Sequence, residues 1–252
     1  MAQKSDIEGK KIFLLRPHSV IRDDMLDQLI MEGYETYTLL DEAKAAKLLA
    51  KFPGSFMFIN IDEGLKEEEW ENYIRTIQKD PQTKGSRLGI MSYNQDHELM
   101  RKYLMELSVP CGYIQLKLGI HESTKIILNA LDANEARGKR RHIRVDCQDD
   151  ISSALNYKGD TGIYHGKILD ISAAGIAVMF DKIKDFPPNA LLEDVQLRLR
   201  GGIVMTNMIL MGKRENGVHI LLFDPKMTEE NKLTIHRYIK LCLRKYIDGL
   251  KV

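Results

Sequence analysis

Two short strings in the second half of the chain carry side chains that could do chemistry together. Arg140 and Arg144 stand at the ends of Arg140-Arg141-His142-Ile143-Arg144, and Asp170-Ile171-Ser172-Ala173-Ala174-Gly175 begins 30 residues after Arg140. A guanidinium is a planar fork of donors that grips a phosphate in bidentate fashion, binds guanine O6 and N7, or stacks on a base. An ionised Asp170 only accepts, so it suits N–H donors such as guanine N1 and N2, whereas Ser172 both gives and accepts. If "KILDIS" is a strand, its period of two puts Asp170 and Ser172 on one face, the outer face of a barrel, and turns Leu169 and Ile171 to the other. Gly175, just past that strand, would let the backbone turn sharply or a ligand approach closely. Lys139 and Arg141 add positive field. Donors for phosphate and acceptors for a guanine edge describe a site for a guanine nucleotide, and the lack of a glycine-rich phosphate loop argues against a triphosphate. Each string alone has a plainer reading, a solvated basic linker or a turn that ends a strand. Their combination and order favour the ligand.

These residues need a scaffold, and the second half supplies strand signals for one: "HIRVDC", "YHGKILDIS", "GIAVMF", "LLEDVQLRLR", "IVMTNMILMGKR" and "GVHILLF". Gly159-Asp160, Gly201-Gly202 and Asn216-Gly217 sit where hairpins would reverse. Six short strands predict a small, closed or nearly closed barrel, because closure removes exposed edges. A helix follows, "TEENKLTIHRYIKLCLRKYIDGL", with Thr228 as N-cap and an apolar face of Leu233, Ile235, Ile239, Leu243 and Ile247. Met205, Met208 and Met211 read as barrel filling, and His142, His165 and His219 as surface or strand residues.

The first half has another texture. "KIFLL", "YETYTLL", "SFMFINI", "RLGIMSY" and "GYIQLKL" read as short apolar strands, separated by helical stretches. Ile21, Met25, Leu26 and Leu29 form one stripe of the first helix, with Ser19 available as its cap. Trp70 reads as core, and Glu67-Glu68-Glu69 as the acidic opening of a helix. Five β–α pairs predict a parallel sheet with helices on both faces, the flavodoxin-like fold of receiver domains.

The chain has 252 residues, room for two domains. Its net charge of +1 hides a mildly acidic half, residues 1–136, with 17 Lys+Arg against 22 Asp+Glu, and a mildly basic half, 137–252, with 20 against 14. The change of sign falls on "ARGKRRHIR", so the boundary is read at 136/137, with 137–145 as a junction that carries the two arginines. No apolar run is long enough to span a membrane, and the polar N-terminus has no secretory signal. The three cysteines, Cys111, Cys147 and Cys242, follow no disulfide or zinc pattern. The expectation is a cytoplasmic protein.

"RRHIRV" followed by "LDISAAG" resembles the PilZ domain, a bacterial receptor for cyclic di-GMP. The layout with a different N-terminal domain is similar to that of spirochaete-type two-domain PilZ receptors. The resemblance implies that Arg140 and Arg144 bind phosphates and guanine of cyclic di-GMP, that Asp170 and Ser172 meet a guanine edge, and that Gly175 shapes the floor. It also implies a PilZ barrel with a C-terminal helix, and no catalytic activity. Lys139, just before the Arg-x3-Arg, permits a second intercalated nucleotide. The family's outputs, such as motility or virulence control, imply a protein partner, met through the N-terminal domain.

A phosphorylatable receiver needs an acidic pair after its first strand, an aspartate ending its third and a lysine after its fifth. Here the first strand is followed by Arg16-Pro17-His18, and Asn60 stands at the end of the third. Asp62, Ser92 and Lys117 are remnants at best, too few carboxylates for a metal. The N-terminal domain is therefore expected to make protein contacts without phosphotransfer and without a metal or cofactor. The alternative class is a nucleic-acid binder using barrel and basic arm. The strands lack the interleaved exposed aromatics that stack bases, and the basic excess of six is modest.

Overall fold

In the computed structural model, residues 9–159, 162–181, 186–187, 189 and 190–251 are described. The residues before Gly9, which include most of the polar N-terminus, and Asp160 of the Gly159-Asp160 turn, lie outside them. The chain divides into two compact units, one running up to Arg141 and including the end from Ile247, the other His142–Tyr246.

The first unit alternates strand and helix: β1 (Ile12–Leu15), α1 (Ser19–Met31), β2 (Thr36–Leu39), α2 (Glu42–Lys51), β3 (Phe56–Asn60), α3 (Glu67–Lys79), β4 (Arg87–Ser92), α4 (His97–Arg101), β5 (Tyr113–Gln115) and α5 (Ile120–Ala133). The strands pair in parallel in the order β2-β1-β3-β4-β5, which is the flavodoxin-like order. β1 and β3 are buried along their whole length, as strands covered by helices on both faces must be. One face packs Ile12, Leu14, Phe56 and Phe58 against Ile21, Met25 and Leu29 of α1 and Ile127 and Leu131 of α5. The cap of α1 is His18, whose Nδ1 accepts from Val20 N at 3.4 Å, and Ser19 is already helical. Trp70 is fully buried, and Glu67, Glu68 and Glu69 open α3 as read. The string "DHELMRKYLMEL" runs as α4 and then widens into a π-helical turn, Lys102–Glu106.

The second unit holds β6 (Arg144–Asp146), β7 (Ala154–Gly159), β8 (Gly162–Ser172), β9 (Gly175–Phe180), β10 (Leu191–Leu199), β11 (Gly202–Lys213), β12 (His219–Phe223) and most of α6 (Glu229–Gly249). Antiparallel pairing runs β8-β7-β10-β11-β12-β9 and closes through β8–β9, a six-stranded barrel. Its membership differs from the sequence reading in one strand. β7 is absent from the strand signals yet belongs to the ring, because "ALNYKG" buries only Leu155 and has too little apolar alternation to register as a strand. β6, read as a barrel strand, pairs with the second half of β8 and continues the edge that β7 occupies on its first half. Gly201 and Gly217 take positive φ in the β10–β11 and β11–β12 turns, as the turn chemistry required.

The apolar face of α6 consists of Ile235, Tyr238, Ile239, Leu243 and Ile247; Leu233 is 49% exposed, one position off the stripe. Met208 fills the barrel, but Met205 and Met211 are about half exposed. A spacing of three changes face in a strand, so these methionines could not all point inward. His219 is buried on β12 with Phe180 and Phe186 edge-on around it.

Tyr238 ties the helix to the turn after β6 by donating to Asp150 Oδ2 at 2.8 Å. Burial alone would raise the Asp150 pKa, but donors from Ser152 Oγ, Tyr238 OH and Ser152 N outweigh it and hold the carboxyl below its ordinary value. A group depressed on folding contributes stability above its unfolded pKa, near 3.9, and loses it as the pH falls further. Thermal melts between pH 6 and pH 3 should therefore show stability falling below about pH 4. Asp150→Asn should flatten part of that slope; an unchanged slope would mean this carboxylate is not a source of it.

Candidate ligand-binding face of the barrel

The inward residues of the first part of β8 are Tyr164, Gly166 and Ile168. Continued at a period of two, that series would carry Asp170 and Ser172 into the barrel. It does not continue. The pairing with β9 runs Ile168↔Val178 and then Asp170↔Ala177, so Leu169 is an extra residue on the β8 side. Such a bulge shifts the alternation by one. Ile171 takes the inward position, fully buried, and Asp170 turns to the opposite face.

β6 pairs on that stretch with Arg144 opposite Ser172, Val145 opposite Ile171 and Asp146 opposite Asp170. Arg144, Asp146, Asp170 and Ser172 therefore share one face. Arg144 Nε lies 3.5 Å from Asp170 Oδ1, with the side chains 34% and 24% exposed. Two carboxylates directly across a strand pair repel, and the guanidinium on the diagonal offsets that repulsion. Asp146 was not identified from the sequence, although its place two residues after Arg144 on a strand signals the shared face. Its carboxylate accepts from Gln148 N at 2.8 Å.

Ser172 presents little hydroxyl to the outside, being 5% exposed. Its Oγ donates to Gly175 O at 3.2 Å and accepts from Ala174 N at 3.3 Å. These bonds fix the two-residue hairpin Ala173-Ala174 between β8 and β9, and with it the end of the strand that carries Asp170. Gly175 opens β9 opposite Ser172, and its reason is close approach: a Cβ there would stand 2.1 Å from Leu221 O and 2.9 Å from Leu222 Cα of β12. It is not among the positive-φ residues, so the sharp turn that its position after the strand allowed is not what it does.

Of the seven residues singled out by sequence, Arg144, Asp170, Ser172 and Gly175 come together on β6, β8 and β9. Lys139, Arg140 and Arg141 are exposed in the irregular stretch that ends the first unit. There the preceding residues are held down: Ala136 O accepts from Lys10 N at 2.8 Å, and Arg137 stacks over Tyr34 while donating to Glu32 O at 2.8 Å.

The positions of the first unit compared above with a receiver site are engaged in other contacts or stand apart. Asn60 Nδ2 donates to Arg16 O at 2.8 Å, and Asp62 accepts from Ser92 Oγ at 2.5 Å and from Tyr93 N at 2.7 Å. Arg16 pairs with Glu42, and Lys117 is exposed on a 3-10 turn, Leu116–Leu118. Among the described residues no group of three or more His, Cys, Asp or Glu could hold a metal ion, and no helix is long and apolar enough to cross a membrane.

No protein-family model matches the chain, and no curated protein matches it. Solved structures do. MrkH of K. pneumonia, described as a c-di-GMP-dependent transcription regulatory factor, matches with 20% identity over 46% of this chain and 54% of its own, at a TM-score of 0.37. The PilZ domain of YcgR from Escherichia coli, with c-di-GMP, matches with 11% identity over 44% of this chain and 99% of that domain, at 0.38. The Bacillus subtilis inhibitor of motility MotI matches with 16% identity over 45% and 54%, at 0.35. This chain thus spans about half the length of MrkH and MotI.

Proposed function

We propose that this chain is a PilZ-type receptor for cyclic di-GMP, whose second unit binds the nucleotide on the face shared by β6 and β8. The observation that carries the reading is the Arg144–Asp170 pair on an outer face that exists only because of the bulge at Leu169. A partly exposed ion pair of this kind is worth about 0.2–1 kcal/mol. A bidentate, charge-assisted contact from arginine to phosphate is stronger, about 1.5–3 kcal/mol. A ligand phosphate therefore draws Arg144 off Asp170, and the released carboxylate accepts from guanine N1–H and N2–H. The exchange supplies both halves of guanine-nucleotide recognition at one step.

Arg140 is the second guanidinium of the set, with Lys139 and Arg141 adding field. Ser172 contributes by holding the β8–β9 hairpin, and Gly175 by letting β12 close against β9. Because Arg140 belongs to the end of the first unit and Arg144 to the second, engagement of both by one ligand reorients the N-terminal unit. That unit then meets a protein partner, with motility or virulence control as the kind of output. It acts without phosphotransfer, and the protein is not an enzyme.

Isothermal titration of the full chain with cyclic di-GMP tests the reading, with GTP and a linear guanine dinucleotide as controls. Selective binding at micromolar concentration or tighter, equivalent to about 8 kcal/mol, is the expected result. It also reads one or two nucleotides per site. No heat with cyclic di-GMP, together with steeply salt-dependent binding to long oligonucleotides, would replace it with the nucleic-acid reading.

A further inference from the structure

Two of the three cysteines lie on facing segments of the second unit, where the proposed ligand site makes no use of them. Cys147 directly follows β6, is 1% exposed, and has its backbone N donating to Leu169 O at 2.8 Å. Cys242 lies one helical turn after Tyr238 on the face of α6 that packs over the 147–150 turn, and it is half-buried. Asp150, whose N donates to Cys147 O at 3.0 Å, accepts from Tyr238 OH at 2.8 Å, so the two cysteines lie on facing segments, and each thiol is the largest single influence on the other's pKa. Cys111, in the first unit, is buried apart from them, among the core residues between the sheet and α1 and α5.

We propose that Cys147 and Cys242 form an oxidation site that closes to an intramolecular disulfide under hydrogen peroxide. Cys242 is the attacking thiol, because it is the more exposed of the two. The neighbouring Cys147 thiol holds its pKa below the ordinary cysteine value, against the opposing effect of burial. A lowered pKa and access to solvent are what make a cysteine the peroxide-sensitive one. The Cys242 thiolate attacks one peroxide oxygen, the O–O bond breaks, and hydroxide leaves and is protonated to water, which gives a sulfenic acid. The Cys147 sulfur then attacks the sulfenic sulfur, and the hydroxyl leaves with the Cys147 proton as a second water. Two thiols and one peroxide thus become one disulfide and two waters. The bond ties the end of β6, three residues from Arg144, to α6.

The test is peroxide treatment of the native full chain, followed by thiol alkylation, intact mass and peptide mapping. The expected result is a monomer lighter by two hydrogens, with a reducible link between the peptides carrying Cys147 and Cys242, and with Cys111 still alkylatable after unfolding. Cys147→Ser should leave a sulfenic acid at Cys242 that dimedone traps, and Cys242→Ser should leave Cys147 as unreactive as Cys111. Cys147 and Cys242 remaining reduced when peroxide oxidises exposed methionines, or a link that joins two chains or includes Cys111, would overturn the proposal. None of these readouts depends on nucleotide binding, so they stand apart from the receptor reading.

Discussion

Arg144→Ala is expected to weaken cyclic di-GMP binding at least about tenfold, in line with the roughly 1–3 kcal/mol of a good bidentate arginine contact. The substitution removes the phosphate donor and leaves Asp146 and Asp170 facing each other across β6 and β8 without the guanidinium on the diagonal. Fold loss is not expected to account for the effect, because a partly exposed pair of this kind contributes at most about 1 kcal/mol to stability. Arg144→Lys separates charge from geometry. The ammonium keeps the positive charge but cannot form the fork, so it should recover only part of the affinity. Asp170→Ala acts through the other half of the exchange: it frees Arg144 for phosphate but removes the acceptor for guanine, so its effect should fall on discrimination between guanine and adenine dinucleotides. Titration of the three variants against the same ligands checks the set. Unchanged affinity in Arg144→Ala, with the protein still folded, would remove this face as the site.

The parallel sheet of the first unit was legible because its strands are short apolar runs and its helices carry one stripe each, so the change of period marks the elements, although the strand in "GYIQLKL" stops at Gln115 and gives way to a 3-10 turn. Trp70, the β1 and β3 runs and the α1 stripe all lie where that reading placed them. The barrel was legible through its turns and its longer strands. β7 was not, since its outward residues Asn156 and Lys158 and its half-buried Tyr157 leave a single buried leucine to mark it. The Met205–Met208–Met211 reading failed for a related reason: strand parity, set by the register of the pair β10–β11, decides which methionine is inside, and a residue list does not carry register.

The candidate site was legible in its residue types and less so in its geometry. Asp170 and Ser172 on one face, away from Ile171, is the correct parity, yet that face is the outer one only because Leu169 is bulged out of an alternation that otherwise points them inward. A bulge depends on how two strands pair over several residues, and no single residue of "KILDIS" announces it. Ser172 shows the same limit. A hydroxyl is read from sequence as a ligand group, whereas here its two hydrogen bonds to Gly175 and Ala174 are spent on the hairpin. Asp146 belongs to no motif of its own, although a strand starting at Arg144 makes Asp146 its nearest same-face neighbour.

Gly175→Val is expected to unfold or severely destabilise the second unit. β9 is the strand that closes the barrel, hydrogen-bonded to β8 on one side and β12 on the other. At Gly175 the β12 backbone comes so near that even a Cβ would stand 2.1 Å from a carbonyl oxygen and 2.9 Å from a Cα. Both obstacles are main chain and cannot rotate away, so the strands must part, and the neighbouring hydrogen bond from Phe223 N to Ala174 O, 3.0 Å long, is the first to be lost. Overpacking a well-packed core costs about 1–3 kcal/mol even where side chains can yield. With rigid backbone on one side the cost should reach at least about 3 kcal/mol, a fall in Tm of more than about 12 °C for a domain of this size. Gly175→Ala should show a smaller loss in the same direction. Gly212→Ala on β11 is the matched control, because a Cβ there meets nothing within 4 Å, and it should move Tm by no more than a few degrees. Melting curves of the three variants also separate the two reasons a glycine can hold this position. If β12 requires it, stability is lost whether or not nucleotide is present. If close approach of a ligand requires it, Gly175→Ala melts like the parent chain and fails only in binding.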